Sequence, residues 1–357
     1  MRSKFLTQGP EIKRFEDDLC VYTGARYAVC VANGTAALHL ATLALDLPDQ
    51  SEGITSPITF LASANCLLYA GATANFADIE QSTANIDPEK IKVTHCTKVL
   101  IPVHFAGQSC DMEKIGAIAK KNNLYVIEDA AHALGSEYQG KKVGCCEHSD
   151  MTVFSFHPVK NITSAEGGAI TTNNEALYHK LLELRTSGIT RDPMRLTRQE
   201  GPWYYEMHSL GFNYRMTDMQ AALGRSQLKR IEKFATKKRA LVEAYRDAFD
   251  FDDRFSMLEE KSFSKAMFHL SPLLIDFDHV TTTKGALFLK LAEKGLNLQV
   301  HYIPVHLQPY YKQFGFQEGD FPQSENYYRK TISLPLYPDL KLKDLRHIVR
   351  VIKGAVL

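Results

Sequence analysis

An alternation through the first two-thirds of this chain limits its fold more than any other feature. Short β-rich runs are separated by segments long enough to be helices. Tyr27–Val31 reads as a strand, Asn33-Gly34-Thr35 breaks it, and the stretch 36–45 then sets Leu38, Ala41 and Leu45 at helical spacing. Further strand-like runs are 74–77, 99–103, 125–128, 151–156 and 168–172. Met112–Asn122 predicts a helix with Ile115, Ile118 and Ala119 inward and Lys120 and Lys121 near its carboxyl end. Strands joined through helices predict a largely parallel sheet covered on both faces, with ligands outside the carboxyl ends of its strands.

The remainder of the chain has a different pattern. A long helical region, 217–249, is predicted to leave the first domain. Apolar patches at 267–274 and 298–302, with helical segments at 284–294 and 342–352, predict a smaller α+β domain. At 357 residues the chain suits two domains, placed here at 1–235 and 236–357. Lys and Arg number 42 against 41 Asp and Glu, a net charge of +1, which gives no support to a nucleic-acid partner. No apolar run reaches the ~18 residues of a membrane span. The opening MRSKFLTQGPEIKRFEDDL turns acidic where a signal peptide needs an apolar stretch. Seven cysteines without a C-x-x-C read as reduced thiols of a cytoplasmic protein, with no zinc site and no disulfide framework.

Three places set polar groups just beyond a predicted strand. At Asn33-Gly34-Thr35, a tight turn into a helix makes an anion nest for a phosphate, unless Thr35 simply caps the helix. No G-x-G-x-x-G or G-x-x-x-x-G-K-[ST] accompanies it, which argues against a Rossmann oxidoreductase or a nucleoside-triphosphate site. At Glu128-Asp129-Ala130-Ala131-His132, a carboxylate ends a buried strand and faces the ligand crevice, or else caps a following helix. If the chain turns into a helix there, Asp129 and His132 approach one ligand. At Ser155-Phe156-His157-Pro158-Val159-Lys160-Asn161, Lys160 is either a solvated lysine or an amine drawn into the crevice, where burial readies it as a nucleophile. Anion nest, strand-end acid and crevice lysine together match the demands of pyridoxal phosphate: a phosphate cradle, an acid for its ring nitrogen and an amine for its aldehyde.

The runs FLTQGPEIKRFEDDL, VANGTAALHLA, SPITFLASANCLLYAGA, VIEDAAHALGSEY, SFHPVKNITSAEGGAI, SLGFNYRMTDMQAALG and VHYIPVH span nearly the whole chain. They resemble the pyridoxal-phosphate-dependent nucleotide-sugar aminotransferases of the DegT/DnrJ/EryC1/StrS family. VHFAGQSCDM and SFHPVKNIT look most like the branch acting in pseudaminic acid biosynthesis. The resemblance implies an α/β fold of the fold-type I, aspartate aminotransferase-like class, with a large domain built on a mainly parallel sheet and a smaller C-terminal domain. It implies a homodimer with shared active sites. Its chemistry would move the amino group of L-glutamate to the C4 keto group of a UDP-linked 2-acetamido-2,6-dideoxy-hexos-4-ulose.

By the same resemblance, Lys160 binds the cofactor aldehyde and moves the proton, Asp129 pairs with the ring nitrogen, and His132 lies near the ring hydroxyl. Gly34, Thr35 and Ser155 hold the phosphate, and Phe60 stacks on the ring opposite Ala131. Asn213 reaches the neighbouring subunit's phosphate, and His301, Tyr302 and His306 lie near the substrate mouth. On the residues alone, Phe60 would be plain core, Asn213 a turn residue and His157 a shaper of the Lys160 loop. Two features depart from the pattern: relatives carry a further segment ahead of the LTQGP run, and Ser187 stands where they usually show His. Relatives that dehydrate sugars carry His in place of the lysine, so Lys160 argues against that reaction. A non-catalytic regulator would need that lysine lost or a DNA-binding region added, and neither is present.

Overall fold

The computed structural model describes residues 4–356. Seven strands form the central sheet: β1 (Tyr27–Val31), β2 (Glu52–Thr55), β3 (Thr73–Phe76), β4 (Thr97–Ile101), β5 (Tyr125–Asp129), β6 (Met151–Ser155) and β7 (Gly168–Thr172). Their order is β1-β7-β6-β5-β4-β2-β3. Only β7 runs against the others, pairing antiparallel with β1 and β6. The sheet is therefore mixed but mainly parallel, and the carboxyl ends of β1, β5 and β6 open on the same side. The run β2 was not marked by alternation: it has four residues, and Gly53 interrupts its apolar pattern.

Helices cover both faces. α1 (Pro10–Thr23) starts on Pro10, buries Phe15 and Leu19, and stops at Gly24 in the left-handed region at φ 83°. α2 (Gly34–Leu43) buries every residue from Ala36 to Thr42, so it is a core helix without a polar face. Its cap is Asn33, whose side-chain oxygen accepts the Ala36 N–H at 2.8 Å, and Thr35 stands inside the first turn. The capping reading of Thr35 therefore falls. α3 (Ala62–Tyr69) and α4 (Met112–Asn122) complete the units between strands. The Asp111 side chain caps α4, and Lys120 and Lys121 occupy its last turn as expected.

The long helical region expected over 217–249 is two helices, α5 (Asp218–Leu228) and α6 (Ile231–Phe249). α5 opens on a capping box between Thr217 and Gln220 and lies close on α1, where Gly224 meets the Phe15 ring with no room for a Cβ. At its end the Arg230 N–H bonds the Gln227 carbonyl at 2.9 Å, and the tightened turn redirects the chain. α6 then runs through residue 235 toward the second domain, where Leu241, Tyr245 and Phe249 join a separate core. That smaller domain holds an antiparallel sheet of β8 (Phe255–Met257), β9 (Ser271–Ile275) and β10 (Thr331–Leu334), packed with helices Lys284–Glu293 and Leu342–Ala355. The patch at 298–302 is not a strand; a single bridge from Gln299 to Ser333 ties it to the small sheet.

Candidate active site

The carboxyl ends of β1, β5 and β6 surround a cavity of about 560 Å³. Gly34, Thr35, Phe60, Asp129, His132, Ser155, Lys160, His301 and Tyr302 all line it. At the β1 end, the Gly34 and Thr35 N–H groups and the Thr35 hydroxyl have no hydrogen-bond partner among the described residues. Ser155, at the end of β6, sits against this helix start. A Cβ added to Gly34 would lie 2.9 Å from Ser155 Cβ and 3.1 Å from its Oγ, so only glycine admits this approach. Two free main-chain donors and two hydroxyls at the start of a buried helix form an anion cradle.

At the β5 end, Asp129 is 5% exposed and has no ion-pair partner among the described residues. Its Oδ2 accepts the Ser63 hydroxyl at 2.5 Å and its Oδ1 the Ala131 N–H at 3.1 Å. A carboxylate held this deep by neutral donors is placed to receive a cation from the cavity. Glu128, one residue earlier, is committed elsewhere. Burial opposes its ionisation, but hydrogen bonds from His104 at 2.7 Å, Ser149 and Thr152 outweigh this and keep its pKa below the usual range. The chain after Asp129 forms turns rather than a helix, so the helix-cap reading of Asp129 falls; turns still bring His132 into the same cavity.

Lys160 is half-buried in the loop after β6, and its ammonium has no hydrogen-bond or ion-pair partner among the described residues. Burial pushes its pKa down to about 8, against the pull of the Asp129 carboxylate. An amine that is partly neutral near pH 8 and faces a cavity has the properties of a nucleophile and proton carrier. His157 lines the cavity too, half-exposed and 3.9 Å from Glu166.

The far wall comes from the second domain. Tyr302 Oη lies 3.1 Å from His132 Nε2, and the two rings stack with centroids 6.1 Å apart. His301 Nδ1 lies 2.7 Å from Ser333 Oγ, and burial lowers the His301 pKa to about 4. Burial, then the nearby Lys160 charge, keeps the His132 imidazole well below its ordinary pKa, hence neutral. Phe60 is 57% exposed, so the plain-core reading of that residue fails; its ring stands 6.3 Å from Tyr302.

His306, expected near the substrate mouth, is elsewhere, and Asn213, expected at the neighbouring subunit's phosphate, lies outside this cavity. His306 is wholly buried and does not line the cavity. Its Nε2 lies 3.1 Å from Glu325 Oε1, and its ring packs on Phe321, because the Val305–Leu307 turn directs it inward. Asn213 is exposed and outside the cavity lining; its backbone bridges Thr186. Three residues without a sequence-based role stand around the site. His269 packs against His132 with ring centroids 4.4 Å apart and planes tilted by 40°, from within an apolar patch that gives no sign of it. Asn161 follows Lys160 directly, and Lys238 was hidden in the run Lys237-Lys238-Arg239, which reads as a solvated helix face.

The donor set can be tested against pyridoxal 5′-phosphate. The cradle of free N–H groups suits its phosphate, the cation-free Asp129 its ring nitrogen, the unpartnered amine its aldehyde, and Phe60 the face of its ring. The residues fit. Among the described residues no group of His, Cys, Asp or Glu could hold a metal ion, and no helix is long and apolar enough to cross a membrane.

Comparison with known proteins agrees with this chemistry. The chain is 39% identical over 360 residues to the spore coat polysaccharide biosynthesis protein SpsC of Bacillus subtilis, covering all of this chain and 92% of that one. It is 37% identical over 353 residues to the UDP-4-amino-4,6-dideoxy-N-acetyl-beta-L-altrosamine transaminase of Campylobacter jejuni, covering 98% and 90%. Among solved structures, Helicobacter pylori PseC, an aminotransferase involved in the biosynthesis of pseudoaminic acid, superposes with a TM-score of 0.91 at 34% identity, covering 99% of this chain and 93% of that one. Residues 1–353 match the model of the DegT/DnrJ/EryC1/StrS aminotransferase family. The chain belongs to that family and is a pyridoxal-phosphate-dependent aminotransferase.

Proposed function

We propose that this enzyme moves the amino group of L-glutamate to the C4 keto group of a UDP-linked 2-acetamido-2,6-dideoxy-hexos-4-ulose, in a pathway of the pseudaminic acid type. The observation that carries the chemistry is the unpartnered, half-buried amine of Lys160 in one cavity with the cation-free Asp129 carboxylate and the free N–H groups of Gly34 and Thr35. The substrate is inferred from the Campylobacter jejuni and Helicobacter pylori relatives.

Pyridoxal phosphate supplies an aldehyde to carry the amino group and a ring that accepts electrons from the carbon losing its proton. The chain's own residues do the rest. Gly34, Thr35 and Ser155 bind the phosphate. The Asp129 carboxylate holds the proton on the ring nitrogen, since an opposite charge within hydrogen-bond reach favours the protonated form. Phe60 and His132, the latter a neutral imidazole with Tyr302 Oη beside its Nε2, would flank the ring in the same cavity. Lys160 Nζ, which has no partner of its own among the described residues, would carry the proton that leaves the substrate carbon. His301 and Tyr302 border the substrate mouth.

We assign the enzyme to homodimers with shared sites. Asn213, exposed and outside its own cavity, would contact the phosphate bound by the other subunit. Lys160→Ala chains and Asn213→Asp chains should then rescue one another when mixed, because one site of each heterodimer carries neither lesion. If tagged heterodimers form and stay inactive, Asn213 does not serve the partner.

The substrate test uses purified protein, glutamate and a panel of UDP- and dTDP-linked 4-keto-6-deoxy sugars, with products read by mass and NMR. The expected result is 4-amination of the UDP-linked 2-acetamido sugar. Preference for another UDP- or dTDP-linked keto sugar would overturn the substrate and leave the chemistry standing.

A further inference from the structure

Behind Lys160, away from the cavity wall, a second set of polar groups is buried with no part in the chemistry above. Lys238, on α6, is 3% exposed. Among the described residues its side chain makes one hydrogen bond, from Nζ to Asn161 Oδ1 at 3.0 Å, and has no ion-pair partner. Asn161 is itself buried, and its Nδ2 shares its two hydrogens among three main-chain carbonyls: His132 at 3.0 Å, Leu134 at 3.1 Å and Met267 at 3.2 Å. One side chain thus joins the Lys160 loop to the turn after Asp129 and to the segment leading into β9.

An amide can be rotated to exchange its oxygen and nitrogen, and in this setting the exchange would be ruinous. Three carbonyls on one side need a donor, and an oxygen turned toward them would leave all of them unpaired. In its ammonium form Lys238 can only donate, and it then admits only the rotamer with oxygen toward itself and nitrogen toward the carbonyls. A buried cation with a single neutral partner is costly to keep. Burial pushes the Lys238 pKa down to about 8, which reflects that cost.

We infer that Lys238 and Asn161 are positioning residues: Lys238 fixes the Asn161 amide, and Asn161 sets the distance between the Lys160 amine and the Asp129–His132 wall of the cavity. This rests on the role of Lys160 given above, and it adds the residues that hold that lysine in register. A misplacement of about 1 Å at a reacting group can cost ~100-fold in rate, so a lock on this one loop has a large lever.

The test is Lys238→Met, which keeps the stem and removes the donor, purified as the holoenzyme. The limiting rate of the glutamate half-reaction should fall by roughly tenfold or more with KM for glutamate nearly unchanged, as expected when geometry rather than binding is lost. The visible circular dichroism of the bound cofactor should weaken. Backbone amides in the 157–164 peptide should exchange faster while the remaining sheet peptides do not. Lys238→Gln, with a shorter donor, should recover part of all three signals, and it serves as the test variant if the Met variant does not fold.

In an Asn161→Ala background, removing Lys238 should cost little more, since the pair acts as one unit. A half-reaction rate within about twofold of the parent, with unchanged dichroism and exchange, overturns the inference. So do effects of the two substitutions that simply multiply. Neither result touches the role of Lys160, which stands or falls on Lys160→Ala.

Discussion

The cavity has two walls, and they differ in how their chemistry is built. The large-domain wall is made at strand ends: Asn33-Gly34-Thr35 after β1, Asp129 closing β5, Ser155 closing β6 and Lys160 in the next loop. Each group follows its strand within a few residues, so the sheet brings all of them to one cavity. The small-domain wall is made by contacts between segments far apart in the chain. Tyr302 meets His132 across 170 positions, and His301 meets Ser333. The first wall should fail through lost chemistry when altered, and the second through lost fit.

The most damaging change lies on the first wall. Lys160→Ala should abolish the visible absorbance of covalently held cofactor and all turnover, with the protein still folded. Retained reducible cofactor at near-normal rate would remove Lys160 from this role. Asp129→Asn should follow, with weaker cofactor binding and a glutamate half-reaction slower by orders of magnitude, because the proton on the ring nitrogen loses its counter-charge. A half-reaction within threefold of the parent, measured by stopped-flow absorbance, would sink that assignment.

The same wall carries a pH signature. Only the neutral amine of Lys160 can attack the cofactor aldehyde, and its pKa is lowered to about 8 rather than left at the model-peptide value of 10.5. Covalent capture of cofactor by the cofactor-free protein should therefore slow as pH falls below about 8, about tenfold per unit once the ammonium dominates. It should level off above that point. A midpoint near the ordinary lysine value would show that burial does not tune this amine.

Legibility in the sequence follows the same division. Strand periodicity marks β1 and β3 to β7 to within about two residues, and with them the polar groups just beyond. β2 escaped because four residues with Gly53 inside carry no alternation, and the 217–249 break escaped because no Gly or Pro marks it. The C-terminal wall was reached only through the VHYIPVH resemblance, which placed His301 and Tyr302 at the cavity but put His306 with them. Three- to four-residue spacing cannot tell which of these side chains the Val305–Leu307 turn rotates inward. His269 and Lys238 lacked any local signal, since an imidazole in an apolar run and a lysine in a basic run look like core filler and solvated surface. What distinguishes them is what packs against them: His132 for His269 and Asn161 for Lys238.

On the second wall the effects should be smaller. Tyr302→Phe removes the hydroxyl beside His132 Nε2 and leaves the stack of rings in place. Loss of one neutral hydrogen bond, worth about 1 kcal/mol, predicts a rate loss of roughly fivefold. It should appear equally with glutamate and with the keto sugar if His132 has the proposed place beside the cofactor, which both halves of the reaction share. A hundredfold loss would place the Tyr302 hydroxyl in the chemistry itself and erase the distinction between the walls.

The smallest catalytic effect should come from Glu325, which separates position in a motif from function. Glu325 is buried; its Oε1 lies 3.1 Å from His306 Nε2, and its carboxylate accepts the Gly319 N–H at 2.8 Å. None of these groups lines the cavity. Burial lowers the His306 pKa despite the neighbouring carboxylate, so the imidazole is held neutral and donates from Nε2. Glu325→Ala leaves that donor and the Gly319 N–H unpaired, at about 1–3 kcal/mol for each group that water cannot reach. The midpoint of urea unfolding should fall, while the half-reaction rate of the folded holoenzyme stays within about twofold of the parent. Stability of the parent should also decline as pH drops below the ordinary histidine range, because the unfolded chain takes up protons that the buried imidazoles refuse. In His306→Asn part of that decline should disappear, leaving the share due to His39, His132, His269 and His301, whose pKa values burial also lowers. An unchanged acid profile in His306→Asn, or a Glu325→Ala enzyme that is stable but slow, would return this end of the VHYIPVH motif to the active site.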